Sequence, residues 1–229
     1  MVENYFSRKA DVLITMKKLL FLLVSFVLFT AVSVSAAADI KLPAPEKTGG
    51  IGILDTVSAR QSATDFVDEE ISLQQLSTLL WVAGGINREN GKLTFASALN
   101  TQDMIIFVFT RKGTYRYNPA GHSLTLIKDG DNRVLTGGQP FVAKAAVDLL
   151  YIQDTEKWGS FKEKIPPSDI LNCGFAHAGL SMQGVYLYAA SQGWGARTRM
   201  SFDKEELSKF LGLTEQHNFT LMQCVGPKQ

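Results

Sequence analysis

Residues 169–192 constrain the fold more than any other segment of the sequence. The segment is the longest helical candidate, and apolar residues occur around much of its circumference. A helix that is apolar on most sides is buried. Small residues that allow close helix approach are interleaved along it: Ala176, Ala178, Gly179, Gly184, Ala189 and Ala190. Because so much apolar surface is hard to bury within one small domain, the segment predicts a core helix that also contacts a second copy of the chain.

Two shorter helices are predicted from their capping patterns. Ser72 is followed three residues later by Gln75, which is a capping box, and apolar residues at helical spacing continue to a Gly-Gly stop at 84–85. Asp203 and Glu206 have the same spacing before an apolar stripe that ends at Gly212. We also expect a short helix over 141–146.

Dense or alternating apolar runs predict the strands. These runs lie at 104–110, at 114–117 and 123–127 as a hairpin, at 147–152 and at 219–225. Helices mixed with mostly sequential strands define the α+β class.

The N-terminal region is typical of a secretory signal peptide. Lys17 and Lys18 precede an uncharged apolar run at 19–34, and small residues lead to Asp39. We expect a signal peptide over 1–38 with the natural start at Met16, a linker over 39–56 and a domain over 57–229. The mature protein would be periplasmic or extracellular. Because the run is short for a span of about 20 residues, a retained membrane anchor is the alternative, and this segment would be the protein's only membrane contact.

Composition excludes several classes of protein. The formal net charge is +1 and the basic residues are dispersed, which argues against nucleic-acid binding. The three histidines are scattered and there is no Cys-x-x-Cys pattern, so no metal site is expected. Cys173 and Cys224 could form a disulfide in an exported protein. Their positions in a predicted helix and a predicted strand favour two buried thiols.

Three polar motifs occur in order along the chain. The first contains Arg60, Ser62 and Phe66; the second is Ser97-x-x-Asn100-x-Gln102; the third is Gly193-Trp194-Gly195, which follows the long helix. None of them is a catalytic triad, a metal site or a nucleotide P-loop. Together they resemble the flavin-binding elements of the nitroreductase family, and the sequence is most similar to the branch of SagB-type dehydrogenases. The resemblance covers about residues 57–227.

The resemblance implies a nitroreductase-like fold, with a mainly antiparallel sheet flanked by helices and FMN at the interface of a homodimer. The turn formed by Arg60, Gln61, Ser62 and Thr64 would hold the phosphate and ribityl chain. Asn100 would lie at the flavin ring, and Gln183 and Arg199 would complete the cofactor-binding set. Because the isoalloxazine carries the redox chemistry, no catalytic side chain is implied. The partner in turnover would be a small-molecule substrate or an electron carrier.

The sequence also departs from the family pattern. Gln61 is uncharged, Thr64 replaces a basic residue, and Gly184 stands where Asn is usual. A non-catalytic ligand-binding or protein-binding module on the same fold is therefore the alternative function. The individual residues also have simpler interpretations: a solvated turn for Arg60–Ser62, a turn residue for Asn100 and a surface ion pair for Arg199. Since NAD(P)H is normally absent outside the cytoplasm, oxidation of a substrate by the flavin is the simpler direction for an exported enzyme.

Overall fold

The computed structural model describes residues 39–229. Its seven strands form one sheet in the order β1-β4-β3-β2-β5-β7-β6, in which every neighbouring pair is antiparallel. The strands are β1 (Ile40–Lys41), β2 (Met104–Phe109), β3 (Gly113–Asn118), β4 (Ser123–Asp129), β5 (Val147–Asp154), β6 (Trp194–Arg199) and β7 (His217–Pro227). The helices are α1 (Ile53–Ala59), α2 (Leu73–Gly84), α3 (Pro167–Ser191) and α4 (Lys204–Leu211). The predicted fold class, an antiparallel sheet flanked by helices, is confirmed.

Both faces of the sheet are covered, and the central strand β2 is apolar and buried at every position. On β2, Ile106 and Val108 belong to the cluster that contains the buried faces of α2 and α3. Ile105 and Phe107 alternate with them and point into a second cluster, which includes Leu207 of α4. This two-residue alternation places α2 and α3 on one side of the sheet and α4 on the other.

The predicted helix caps are present. The Ser72 hydroxyl accepts a hydrogen bond from the Gln75 backbone N–H, and the Gln75 side chain accepts one from the Ser72 backbone. Asp203 caps α4 through the Glu206 N–H, and Gly212 ends that helix with a φ of 66°. The predicted strands and the long helix also form, with ends that differ from the prediction by a few residues.

Two local predictions differ from the structure. The segment 39–56, predicted as a linker, contains β1 and the start of α1, because Ile40 pairs with Leu124 of β4 and α1 packs against α3. Residues 141–146 form turns rather than a helix. Such a short segment makes too few hydrogen bonds to offset the cost of helix nucleation. The predicted signal peptide lies outside the described residues.

Cys173 and Cys224 are both free thiols, and no bond joins them. Cys224 is buried in β7, as predicted, whereas Cys173 on α3 is half-buried. Among residues 39–229, no helix combines the length and the apolarity that crossing a bilayer would need.

Candidate functional site

Residues 60–66 run along the outer edge of strand β6. Ser62 forms a parallel bridge with Ala196, and the Ala63 N–H donates to the Ala196 carbonyl at 2.9 Å. Gly195 permits this approach, because a Cβ atom at that position would lie 2.5 Å from the Ala63 Cβ. Phe66 is fully buried and fixes the end of the segment. The Gly-x-Gly motif and the first motif therefore pack directly against each other.

Tyr186 of α3 joins this segment to the long helix. The Arg60 guanidinium carbon lies 5.6 Å from the centroid of the Tyr186 ring. The Tyr186 hydroxyl lies 3.4 Å from the Ser62 hydroxyl and accepts a hydrogen bond from the Thr198 N–H at 2.9 Å. Gln183 precedes Tyr186 by one helical turn and is exposed, so both residues lie on the same side of α3. The structure thus brings Arg60, Ser62 and Gln183 to one region.

The charge in this region is positive. Within residues 39–229, no carboxylate lies within ion-pair distance of Arg60. Arg197 stacks over the Phe141 ring at 4.3 Å and donates to the carbonyl of Thr64 at 3.3 Å. The acidic residue of the segment, Asp65, bonds to Lys144 at 2.6 Å. Hydrogen bonds from the Lys144 ammonium and from the Phe66 N–H hold the pKa of Asp65 below its ordinary value.

Gln61 and Thr64 lie on the same edge segment, and both are exposed. Thr64 carries no charge, but Arg197 reaches its carbonyl from β6, so a cation is present beside position 64. A guanidinium, a hydroxyl and exposed polar groups form a donor set that fits a phosphate group. The residues present at this edge therefore fit the phosphate end of a nucleotide cofactor.

The second motif, Ser97 to Gln102, forms a tight loop before β2. The Ser97 hydroxyl accepts from the Gln102 N–H at 3.0 Å, and the Gln102 side-chain amide donates to Asn100 Oδ1 at 3.4 Å. Leu99, Asn100 and Gln102 have φ values of 52°, 56° and 49°. Left-handed backbone costs about 1–2 kcal/mol for a residue other than glycine. The serine and glutamine of the motif therefore stabilise a strained loop, and Asn100 is exposed at its surface.

His177 of α3 fastens this loop to the helix. The Ala98 N–H donates to His177 Nε2 at 2.7 Å, and His177 Nδ1 lies 2.7 Å from Asp103 Oδ1. Because Nε2 must accept from Ala98, the ring is neutral and carries its proton on Nδ1. Burial tends to raise the pKa of Asp103, but hydrogen bonds from His177, Gln153 and Trp158 outweigh it and lower that pKa.

Arg199 does not join the predicted site. It is buried, and its five N–H groups donate to atoms of the protein interior: Thr136 O, Thr136 Oγ1, Ser201 O, Cys224 Sγ and Met222 Sδ. Its guanidinium also lies 3.7 Å from the buried Asp148. Burial raises the pKa of Asp148 to about 6, and the charge of Arg199 opposes the rise. The prediction that Arg199 contacts a cofactor is corrected, because no donor of its side chain is left to make that contact.

Sequence reasoning missed Tyr186, Arg197 and the His177–Asp103 pair. The first had a detectable signal, since Tyr186 stands one turn after Gln183 on the same helix face. The sequence carries no comparable signal for Arg197 and Asp103, because the residues that they contact lie on other elements. Among residues 39–229, no cluster of His, Cys, Asp and Glu has the arrangement of a metal site.

Comparison with known proteins places this geometry in a family. The family model described as "Nitroreductase family" matches residues 57–227. A protein of Methanocaldococcus jannaschii, named as a nitroreductase, is 28% identical over 208 residues, which cover 83% of this chain and 96% of that protein.

Solved structures agree. A Ralstonia eutropha structure described as a nitroreductase has a TM-score of 0.76 and 33% identity, covering 85% of this chain and 91% of its own. The NADPH:FMN oxidoreductase of Vibrio harveyi shares the fold, with a TM-score of 0.58 and 19% identity over 77% of this chain and 69% of its own. The family match spans most of the chain and includes all three polar motifs. The chain belongs to the nitroreductase family of oxidoreductases.

Proposed function

We propose that the chain binds FMN non-covalently and acts as an FMN-dependent oxidoreductase. The observation that carries the proposal is Arg60, whose guanidinium has no carboxylate partner among the described residues and lies over Tyr186 beside the Ser62 hydroxyl. Arg60, Ser62 and the exposed Gln61 and Thr64 would hold the phosphate and ribityl chain. The name of the Vibrio harveyi neighbour, an FMN oxidoreductase, supports the identity of the cofactor.

The bound flavin would supply the redox chemistry, and the protein would bind and orient it. Asn100, exposed on the strained loop, would present a side-chain amide to the ring edge, where it can donate and accept. Gln183 would face the cofactor from α3. Arg197 would add positive charge near Thr64, where the family pattern has a basic side chain.

We further propose the direction of turnover. As an exported member of the SagB-like branch, the enzyme would oxidise a small-molecule substrate, with an acceptor or electron carrier as its second partner in turnover. This direction needs no NAD(P)H outside the cytoplasm. The branch rests on the resemblance of the motifs, and the direction rests on the predicted export.

Replacement of Arg60 tests the cofactor site. Charge-assisted hydrogen bonds contribute roughly 1.5–3 kcal/mol. Arg60→Ala should therefore weaken FMN binding by about tenfold to a hundredfold, measured by fluorescence titration. Arg116→Ala, an exposed arginine on β3, is the matched control and should bind as the wild type does. An unchanged dissociation constant for Arg60→Ala would remove that residue from the site. A wild-type protein that gains no absorbance from bound flavin after incubation with FMN would instead favour the non-catalytic binding module.

We propose that the active form is a homodimer paired through α3. The outward side of this helix carries Ala176, Gly179, Leu180 and Gln183, all exposed and uncharged. On α1, which packs against α3, Ile53, Leu54 and Val57 are also exposed. Exposed apolar residues on two packed helices support an interface at this surface.

Antiparallel pairing of two copies of α3 about Leu180 would also explain the site. Residue 177 of one chain would then lie at the same level along the helix axis as residue 183 of the other, since both are three positions from Leu180. The loop held by His177 would bring the partner subunit's Asn100 to Gln183 and Tyr186. Each flavin site would thus use both chains.

Charge placed in this surface should separate the subunits. Leu180→Glu would bury a carboxylate against apolar surface, which is unfavourable. Sedimentation should give twice the mature mass for the wild type and a single mature mass for Leu180→Glu. Val134→Glu, at a position that is 69% exposed on a different part of the chain, should remain dimeric. A wild-type monomer that retains full flavin would contradict the proposal.

We propose that the mature protein is exported and begins near Asp39. The support is the sequence pattern of residues 1–38 alone. N-terminal sequencing of protein from the native host should find a start near Asp39 outside the cytoplasm. A start at Met1 or Met16 in a soluble cytoplasmic fraction would refute export, and a start there in the membrane fraction would indicate a retained anchor.

A further inference from the structure

We propose that His177 is a positioning residue for the flavin: it holds the loop 97–102 in the conformation that presents Asn100. This inference rests on the proposed FMN site. His177 is a buried histidine of α3 that belongs to none of the three polar motifs, so the motifs alone do not predict this role.

The contacts form a continuous buried chain from the sheet to the loop. Asp103 is fully buried, and its Oδ2 accepts from Gln153 Nε2 and from Trp158 Nε1, each at 2.8 Å. Its Oδ1 accepts from His177 Nδ1 at 2.7 Å. The carboxylate is thus fixed by three donors. It orients the imidazole so that Nε2 faces the Ala98 N–H at 2.7 Å.

The loop needs such an external contact. Leu99, Asn100 and Gln102 have left-handed backbone, and Leu99 and Asn100 are exposed, so packing does not hold them. The hydrogen bonds of Ser97 and Gln102 shape the loop internally or tie it to Gly91. Across the described part of the chain, the hydrogen bond to His177 is the one that joins this loop to α3.

The consequence concerns the amide of Asn100. A fixed dipole near the flavin ring stabilises one redox form relative to the other only while its position is fixed. Without the imidazole, the Ala98 N–H loses its buried acceptor, and the strained residues can relax. His177 would therefore act on the flavin through Asn100 and without touching the cofactor.

The test compares reduction potentials of bound FMN by spectroelectrochemical titration. His177→Ala should shift the potential in the same direction as Asn100→Ala, and His177→Gln should shift it less, because an amide can also donate and accept. His217→Ala removes a ring that is hydrogen-bonded to Thr214, three residues before it; this variant is the control and should leave the potential unchanged. In the Asn100→Ala background, His177→Ala should produce no further shift.

A second readout does not depend on the cofactor. In the FMN-free protein, hydrogen exchange at the Ala98 amide should be protected in the wild type and fast in His177→Ala. If His177→Ala fails to fold, the reduction potential and the exchange rate are both measured on His177→Gln instead. Potential shifts that add in the double variant, or an unchanged potential and exchange rate, would overturn the role of His177. A wild-type protein that binds no FMN would instead overturn the proposed function, and the positioning role with it.

Discussion

The packing of α3 against the sheet is the interaction on which the rest of the structure depends. Its inner side buries Ala178, Met182 and Val185 in the largest apolar cluster. Gly174 lies so close to β5 that an added Cβ would meet the Gln153 side chain at 2.5 Å. With the helix fixed in this way, His177 and Tyr186 stand about 13 Å apart along its axis. One holds the Asn100 loop and the other faces Arg60, so a single helix sets the spacing of the two polar motifs.

The positive edge of the site shows how tertiary contacts can replace a missing side chain. Thr64 carries no charge, and the sequence alone therefore suggests a weakened anion site. In the fold, Arg197 of the neighbouring strand stacks on Phe141 and reaches the Thr64 carbonyl. Asp65 is paired with Lys144, so its charge is balanced locally. A residue that lies far from Thr64 in sequence thus supplies positive charge beside that position.

Local signals predicted most of the fold. Capping at Ser72 and Asp203, and the apolar runs of the strands, depend on neighbouring residues and are visible in the sequence. Motif order indicated Arg60, Ser62 and Asn100 as candidate site residues, and the structure brings Arg60 and Ser62 together beside Tyr186. Arg199 could not be placed: its partners Thr136 and Asp148 come from other elements, and only the folded sheet brings them together. The hydrogen bond between Ala98 and His177 could not be predicted either, because it joins a loop to a helix that is distant in sequence.

The central claim is that each flavin site combines Arg60 of one chain with Asn100 of its partner. Two heterodimers, isolated with different affinity tags, test it by FMN titration. A heterodimer of Arg60→Ala with Asn100→Ala should contain one site of wild-type affinity, because both substitutions fall in the other site. A heterodimer of the wild type with the double variant should contain none, because each site carries one substitution. The opposite result, an intact site only in the second heterodimer, would show that each chain builds its own site and would contradict the claim.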